Sequence, residues 1–203
     1  MLFQELSDIQ RDTFKEVSNI GMGHAATALS QMVGKRIEIY VPRVLVLPLV
    51  EVPEHLGGAE KLMAGIFLGI EGETTGSIML LFPGESACHL CGALLGEELS
   101  SLESEHAIST LKEVGNILSS AYLNALGRLI DKTLIPTIPG FAYDMAGALV
   151  DTLLIELGRQ GDLALMVETE FGGDLGNNRR VKGHFFLIPD PETFEFFLRE
   201  TQS

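Results

Sequence analysis

The sequence predicts an α+β fold in which helices cover a mainly antiparallel β-sheet. Strand-like segments are separated by short polar turns, which favours antiparallel pairing. Long segments with helical periodicity lie beside these strand pairs, as in a layered α+β domain. The same order of elements also occurs twice, in approximately residues 1–100 and 101–203. No linker-like segment separates the two halves, so we expect a single domain over 1–203 with internal pseudo-symmetry.

The first half begins with a long helix. Ser7 and Gln10 have the spacing of a capping box, and the helical pattern fades near Gly34. A β-rich stretch interrupted by prolines follows, then two strands joined by a polar turn, then a short helix. These segments are 36–50, 61–70, 76–82 and 85–95.

The second half repeats this order from a helix over about 102–130. A proline-broken stretch at 134–139 comes next, and then a helix-like segment at 141–157. Two strands are predicted at 163–171 and 181–188, separated by a glycine-rich loop at 172–178. The chain ends with the same series as the first half, a strand, a proline turn and a short helix.

Composition excludes several classes of function. The net charge is −14 without any cluster of Lys and Arg, so nucleic acid and anionic membranes are unsuitable partners. The N-terminus is too polar for a secretory signal, and no apolar run is long enough for membrane insertion. Cys88 and Cys91 have no second pair of ligands for zinc, and we interpret them as small buried hydrophobic residues. We expect no metal site and a cytoplasmic protein.

Both long helices carry the same polar pattern. It comprises Asp12, Glu16, Asn19 and Pro42 in the first half, and Ser109, Glu113, Asn116 and Pro139 in the second. Each residue of the second set follows its counterpart by 97 positions, from 12 to 109 as from 42 to 139. The spacing D/S-x3-E-x2-N-x22-P therefore occurs twice. Duplication alone can preserve a pattern, but the neighbouring segments 21–24 and 118–121 have diverged while the polar set is retained.

On a helix these polar positions form one stripe. Positions i, i+4 and i+7 fall within about 60° of one another. The opposite side of each helix is apolar, so we expect the stripe to face outward and the apolar side to face the core. The expected core residues are Phe14, Val17, Ala25, Ala28, Leu29 and Met32 in the first helix, and Leu111, Val114, Leu118, Tyr122, Ala125 and Leu129 in the second.

An isoleucine lies beside each polar stripe. Ile20 and Ile117 each follow the Glu by one helical turn. An apolar side chain next to an exposed Glu/Asn pair is a candidate docking contact for a partner protein, although single surface isoleucines are common.

The residues around both pairs resemble the CheC/CheX/FliY family of bacterial chemotaxis phosphatases, most closely its two-site form, CheC. The resemblance is carried by EVSNIGMGHAATA from Glu16 and by EVGNI from Glu113, and it extends over nearly the whole chain. It implies a central, mainly antiparallel sheet with the two long helices side by side on one face and shorter helices elsewhere.

The resemblance also implies an activity, hydrolysis of the phospho-aspartate of a CheY-like response regulator. Glu16, Asn19, Glu113 and Asn116 would be the catalytic residues. An acyl phosphate is already reactive, and a neutral amide can place water without adding negative charge to an anionic pocket. Each Glu would pair with the active-site lysine of the receiver. We expect no cofactor in this chain, and Mg²⁺ on the response regulator.

Four further residues are candidates for supporting roles. Asp12 and Ser109 could support the Glu or the position of the helix. Pro42 and Pro139 could set the path of the chain after each helix.

Two alternatives remain open from the sequence. The chain could be a non-enzymatic regulatory module that binds CheD, a receptor deamidase. The segment 143–148 resembles the start of the CheD-contacting helix, with Asp144 the residue of interest, but it is equally readable as an amphipathic packing helix. A flagellar switch component of the FliY kind is disfavoured, because such proteins append a further C-terminal module and this chain stops at Ser203.

Overall fold

The computed structural model describes residues 6–157, 163–175 and 180–200. The helices are α1 (Asp8–Val33), α2 (Val52–His55), α3 (Gly84–Leu95), α4 (Glu105–Ile130), α5 (Ala146–Leu157) and α6 (Pro191–Glu200), and Leu49–Glu51 forms one 3₁₀ turn. The strands are β1 (Ile37–Tyr40), β2 (Val44–Pro48), β3 (Leu62–Gly72), β4 (Gly76–Pro83), β5 (Leu134–Pro136), β6 (Gly140–Met145), β7 (Leu163–Gly173) and β8 (Val181–Pro189).

The ends of α1 follow the predicted capping signals. The Gln10 backbone N–H donates to Ser7 Oγ at 3.3 Å, and the Ser7 backbone N–H donates to Gln10 Oε1 at 2.9 Å, which completes the capping box. At the other end Gly34 adopts a left-handed conformation with φ 66°, and its N–H donates to the Ser30 carbonyl. Helix α4 begins three residues later than predicted, at Glu105, because Ser104 Oγ caps the Ala107 N–H.

The sheet is antiparallel throughout its described pairs, and its strand order is β1-β7-β8-β4-β3-β5. Strands β1 and β2 of the first half pair with β7 of the second half. In the same way, β5 and β6 of the second half pair with β3 of the first. Strands β4 and β8 pair in the middle. Each half of the chain therefore supplies the edge strands of the other half.

Two hydrophobic clusters lie on the two faces of this sheet. The larger cluster joins the sheet to α1, α3, α4 and α6, with Phe14, Leu90, Leu118 and Phe197 among its members. The smaller cluster joins the opposite face to α2 and α5. This arrangement confirms the predicted α+β class, with the long helices on one face.

The two long helices approach each other closely at Gly21. A Cβ atom added there would lie 2.9 Å from the Tyr122 Cα on α4. Glycine at this position therefore lets the backbones of α1 and α4 come into contact, and the Tyr122 side chain is fully buried beneath them. Tyr122 packs on Phe185 of β8 with ring centroids 4.7 Å apart, which ties the helix pair to the sheet.

The prediction of a helix from residue 141 was wrong. Residues 141–145 belong to β6, and α5 begins only at Ala146. The free edge of β3 explains the difference, because it pairs with β6 from Phe67↔Gly140 to Leu62↔Met145. This tertiary hydrogen bonding outweighs the local helical pattern.

Three of the expected core positions were also wrong. Met32 and Leu129 are 46% and 37% exposed, and Ala28 is exposed as well. Met32 and Leu129 lie in the last turns of their helices, where Leu29 and Ile130 face the core instead. Strand β7 extends to Gly173, and residues 176–178 of the predicted loop lie outside the described residues.

Within the described residues, none of the helices combines the length and the apolar character needed to cross a membrane.

Candidate functional site

The polar stripe of α1 faces outward. Asp12, Glu16 and Asn19 are all exposed, whereas Phe14 and Val17 on the other side of the helix are buried. This is the orientation that the helical periodicity predicts. The carboxylates and the amide are accessible to a partner protein.

The corresponding stripe of α4 is partly enclosed. Ser109 and Glu113 are exposed, but Asn116 is half-buried. Leu111 and Val114 on the opposite side are fully buried in the larger core. The two repeats therefore present the same residue types in different surroundings.

A groove of about 410 Å³ runs beside the stripe of α4. Its walls come from one side of the helix and from the turn between β5 and β6. The lining residues are Ser109, Lys112, Glu113, Asn116, Pro136, Thr137, Ile138 and Pro139. The structure thus brings together all four members of the second predicted set, which are separated in sequence by up to thirty positions.

The turn at 136–139 is anchored to β3 by its threonine. The Thr137 backbone N–H donates to the Gly69 carbonyl at 2.9 Å, and the Gly69 N–H donates to Thr137 Oγ1 at 2.7 Å. Strand β5 pairs with β3 up to Ile70↔Pro136, and β6 pairs with β3 from Phe67↔Gly140, so the turn spans a gap in the pairing along β3. These two hydrogen bonds bridge the gap and fix one wall of the groove.

The groove offers a mixed set of charges and hydrogen-bonding groups. Glu113 supplies a carboxylate, Lys112 an ammonium group, and Asn116 an amide that can both donate and accept. Such a set can orient a water molecule beside an anionic group. Among the residues that the structure describes, no group of three or more His, Cys, Asp or Glu side chains is placed to hold a metal ion.

Sequence reasoning missed half of the groove. Lys112, Pro136, Thr137 and Ile138 were not among the predicted site residues. One available signal was the segment Pro136-Thr137-Ile138-Pro139, in which two prolines restrict the backbone around an apolar residue. Within this segment the repeat predicted only Pro139, because the other three positions differ between the halves, whereas Lys112 has an identical counterpart in Lys15 that the prediction did not use.

The remaining predicted residues lie at several places. Pro42 is exposed and follows β1. Ile20 is 45% exposed beside the first stripe, whereas Ile117 is half-buried and packs against the larger core. Asp144 is exposed, but it lies at the end of β6 and not in a helix, so the predicted helical setting was wrong. Its Oδ1 accepts the Met145 N–H at 2.8 Å.

The two cysteines lie on α3 away from these helix stripes. Cys91 is fully buried, and its Sγ lies 3.6 Å from the Ala107 carbonyl oxygen. Burial raises the pKa of the Cys91 thiol to about 12, which keeps it protonated and unreactive. Cys88 is half-buried with a raised pKa for the same reason.

Comparisons with known proteins agree with this arrangement. A family model described as the CheC-like family matches residues 9–46, which include the whole stripe of α1 and Pro42. The crystal structure of Thermotoga maritima FliY is similar in fold, with a TM-score of 0.74 and 19% identity, and covers 96% of this chain and 98% of that one.

Two curated relatives are similar over almost their full length. "CheY-P phosphatase CheC" of Bacillus subtilis is 35% identical, over 96% of this chain and 94% of the relative. "Putative CheY-P phosphatase CheC1" of Halobacterium salinarum is 27% identical, over 92% of this chain and 94% of the relative. On this similarity and on its fold, the chain belongs to the CheC-like family.

Proposed function

We propose that this protein hydrolyses the phospho-aspartate of a CheY-like response regulator, using Glu16/Asn19 and Glu113/Asn116. The observation that carries the proposal is the groove in which Glu113 and Asn116 meet the turn at 136–139. The B. subtilis relative, 35% identical, is named a CheY-P phosphatase, which supports the same activity here.

The reaction requires little covalent help from the enzyme. A water oxygen attacks phosphorus while the bond from phosphorus to the aspartyl oxygen breaks, giving inorganic phosphate and a free carboxylate. Because an acyl phosphate is already reactive, the gain comes from holding water in line with the leaving oxygen. The amide oxygen of Asn19 or Asn116 accepts a proton of that water in a hydrogen bond, and the amide nitrogen remains available as a donor.

A glutamate one turn before each asparagine has a different task. Glu16 and Glu113 are exposed, so each can reach a cation on a docked protein. The family resemblance implies that this cation is the active-site lysine of the receiver. Such a pairing would fix the helix over the phosphorylated site and leave the amide to orient water. The Mg²⁺ that the reaction uses belongs, in this proposal, to the receiver.

The proposal also assigns supporting roles. Asp12 and Ser109 precede each glutamate by one turn and lie on the same stripe, where they can hold the glutamate side chain or contact the partner. Pro139 shapes the wall of the second groove. Pro42 directs the chain between β1 and β2.

The experiment is a phosphate-release assay with a panel of phosphorylated receiver proteins. We expect the wild-type protein to accelerate release from at least one CheY-like receiver beyond its spontaneous decay. The Asn19→Ala/Asn116→Ala variant should lose that acceleration, because neither helix then carries the amide. Equal acceleration by the variant and the wild type would show that these residues are not the catalytic groups.

A second candidate function is binding to a CheD-like deamidase. Asp144 lies at the end of β6, where the β3–β6 strand pair carries unusually exposed apolar residues: Leu62, Tyr143 and Met145 have accessibilities of 52%, 48% and 45%. Leu62 and Met145 are direct neighbours in the β3–β6 pair. An acidic residue among exposed apolar side chains is suited to a protein interface.

This second candidate is tested by titration with a CheD-like protein. Reversing the charge in Asp144→Lys should weaken binding by about tenfold or more, as for a central interface residue. Glu97→Lys, the same change at an exposed position beyond the far end of α3, is the matched control. Equal binding by both variants would exclude Asp144 from the interface.

A further inference from the structure

The two repeats differ in the burial of the residue before the repeated proline. Ile138 is 92% exposed, whereas its counterpart Val41 is only 7% exposed and belongs to the larger core. Both residues occupy the same position relative to the Glu/Asn pair. The position that is buried in the core in the first half is therefore occupied in the second half by an exposed apolar side chain at the edge of the groove.

The structure holds Ile138 in this exposed position. The preceding Thr137 makes two hydrogen bonds to Gly69, and prolines at 136 and 139 restrict the backbone on both sides. The turn therefore loses little conformational entropy when a partner binds. A large apolar side chain on a pre-ordered turn is suited to serve as an anchor for a protein partner.

A lysine on the opposite wall shows the same asymmetry. Lys112 is half-buried and lines the groove, whereas its counterpart Lys15 on α1 is exposed. Lys112 precedes Asn116 by four residues, so the two side chains are neighbours on the helix surface. Of the eight residues that line the groove, all within the described part of the chain, Lys112 alone is cationic.

We propose that Ile138 and Lys112 are partner-binding residues of the second site. The occupant is the phosphorylated receiver domain, so this inference rests on the proposed function. Lys112 faces the phosphoryl oxygens, where its charge compensates an anion within a protein of net charge −14. Ile138 contacts the apolar rim of the receiver pocket. The groove that contains Asn116 is continuous with both residues, so one docked partner reaches all three.

The test uses Asn19→Ala as the parent, so that turnover passes through the second site. Ile138→Ser and Lys112→Gln are each made in that parent, and KM and kcat for dephosphorylation are measured. We expect KM to rise about tenfold in each variant, as for the loss of one interface anchor, with kcat within about twofold. Lys112→Gln should also reduce the dependence of KM on ionic strength.

Two substitutions provide matched controls in the same parent. Ile135→Ser removes an isoleucine that is 54% exposed but does not line the groove, and Lys15→Gln removes the counterpart lysine on α1. Both should keep the KM of the parent. The inference is overturned if Ile138→Ser and Lys112→Gln match these controls, or if they lower kcat without raising KM.

A binding measurement separates this inference from the proposed function. The probe is a receiver carrying beryllium fluoride, which mimics the phosphoryl group, and it is titrated with the parent and with the variants after Glu16→Lys has been added to each to remove docking at the first site. If the parent loses its activity on adding Asn116→Ala but Ile138→Ser and Lys112→Gln bind like the controls, only the present inference fails. If adding Asn116→Ala leaves the activity of the parent unchanged, the proposed function itself fails.

Discussion

Glu113 and Asn116 divide the proposed chemistry between docking and water placement. Both lie on one side of α4, yet Glu113 is exposed and Asn116 is half-buried in the groove wall. An exposed carboxylate is suited to contact a cation on another protein, while a partly enclosed amide holds one orientation better. The periodicity of the sequence predicted that both residues share one side of the helix, but it did not predict the partial burial of Asn116.

The docking role of Glu113 predicts a change in KM. In a chain that already carries Asn19→Ala, Glu113→Gln removes the charge but keeps the shape. We expect a rise of about tenfold in KM with a smaller change in kcat, the size typical of losing one charge-assisted contact. Glu105→Gln, at an exposed position in the first turn of α4, is the control and should leave both constants unchanged. A fall in kcat at constant KM would instead make Glu113 part of the chemical step.

His184 on β8 predicts a pH dependence of stability. Burial lowers the pKa of its imidazole to about 4, from an ordinary value of 6.5, and the cations Lys61, Lys182 and Arg43 add to this while Glu168 opposes it. Its Nδ1 has no hydrogen-bond partner among the described residues. The unfolded chain therefore binds a proton that the folded chain does not, between pH 6.5 and about 4.

As the pH falls through this window, the folded state should lose up to about 3 kcal/mol through His184. The His184→Gln variant lacks this contribution, so its free energy of unfolding should fall less between pH 7 and pH 4. Urea unfolding at the two pH values measures the difference, with His106→Gln on the exposed surface of α4 as the control. Equal losses in wild type and His184→Gln would contradict the prediction.

At the scale of elements, the proposed sites depend on how α1 and α4 pack. Gly21 lies against the backbone at Tyr122, where a Cβ would be only 2.9 Å from the Tyr122 Cα. Neither backbone can yield without moving a helix. The close approach of the two helices that carry the stripes therefore requires glycine at position 21, which the sequence alone did not single out.

Gly21→Ala should reduce the free energy of unfolding by about 1–3 kcal/mol, the usual cost of overpacking a helix contact. Gly23→Ala is a matched control on the same helix, because a Cβ there meets nothing within 4 Å. It should raise stability by up to about 1 kcal/mol through helix propensity. Urea unfolding tests both, and a loss of stability in Gly23→Ala as large as in Gly21→Ala would argue against the close approach.

The elements also show where sequence reasoning succeeds and where it stops. Capping residues marked the start of α1, and a polar turn marked the β3–β4 hairpin, because both signals are local. Strand β6 was mistaken for helix because its pairing with β3 is a long-range contact. The role of Ile138 in the groove was also missed because of a long-range contact. The exposure of Ile138 depends on the hydrogen bond between Thr137 and Gly69, which are far apart in sequence.

At the scale of the whole molecule, each half of the chain completes the sheet of the other. Strand β7 pairs with β1 and β2, and strand β3 pairs with β5 and β6. We propose that the two halves form one cooperative domain, because neither half retains its edge strands alone. The repeat in the sequence predicted the doubled order of elements, but it did not predict this exchange of strands.

Cooperativity is tested by urea unfolding followed by far-UV circular dichroism and by tyrosine fluorescence. Tyr122 is fully buried between α4 and β8, so its emission reports the packing of the helix layer on the sheet. We expect the two transitions to coincide, as for a two-state domain. Two separated transitions would contradict the single domain.

The central claim is that the paired asparagines place water while the rest of each site binds the partner. The most direct measurement is the single-turnover rate at which Asn19→Ala/Asn116→Ala dephosphorylates a phosphorylated receiver. The Kd of the same variant is measured for a receiver that carries beryllium fluoride as a mimic of the phosphoryl group. The account predicts a rate reduced by about a hundredfold or more and a Kd within about threefold of wild type. A preserved rate, or a rate lost only in proportion to weakened binding, would contradict it.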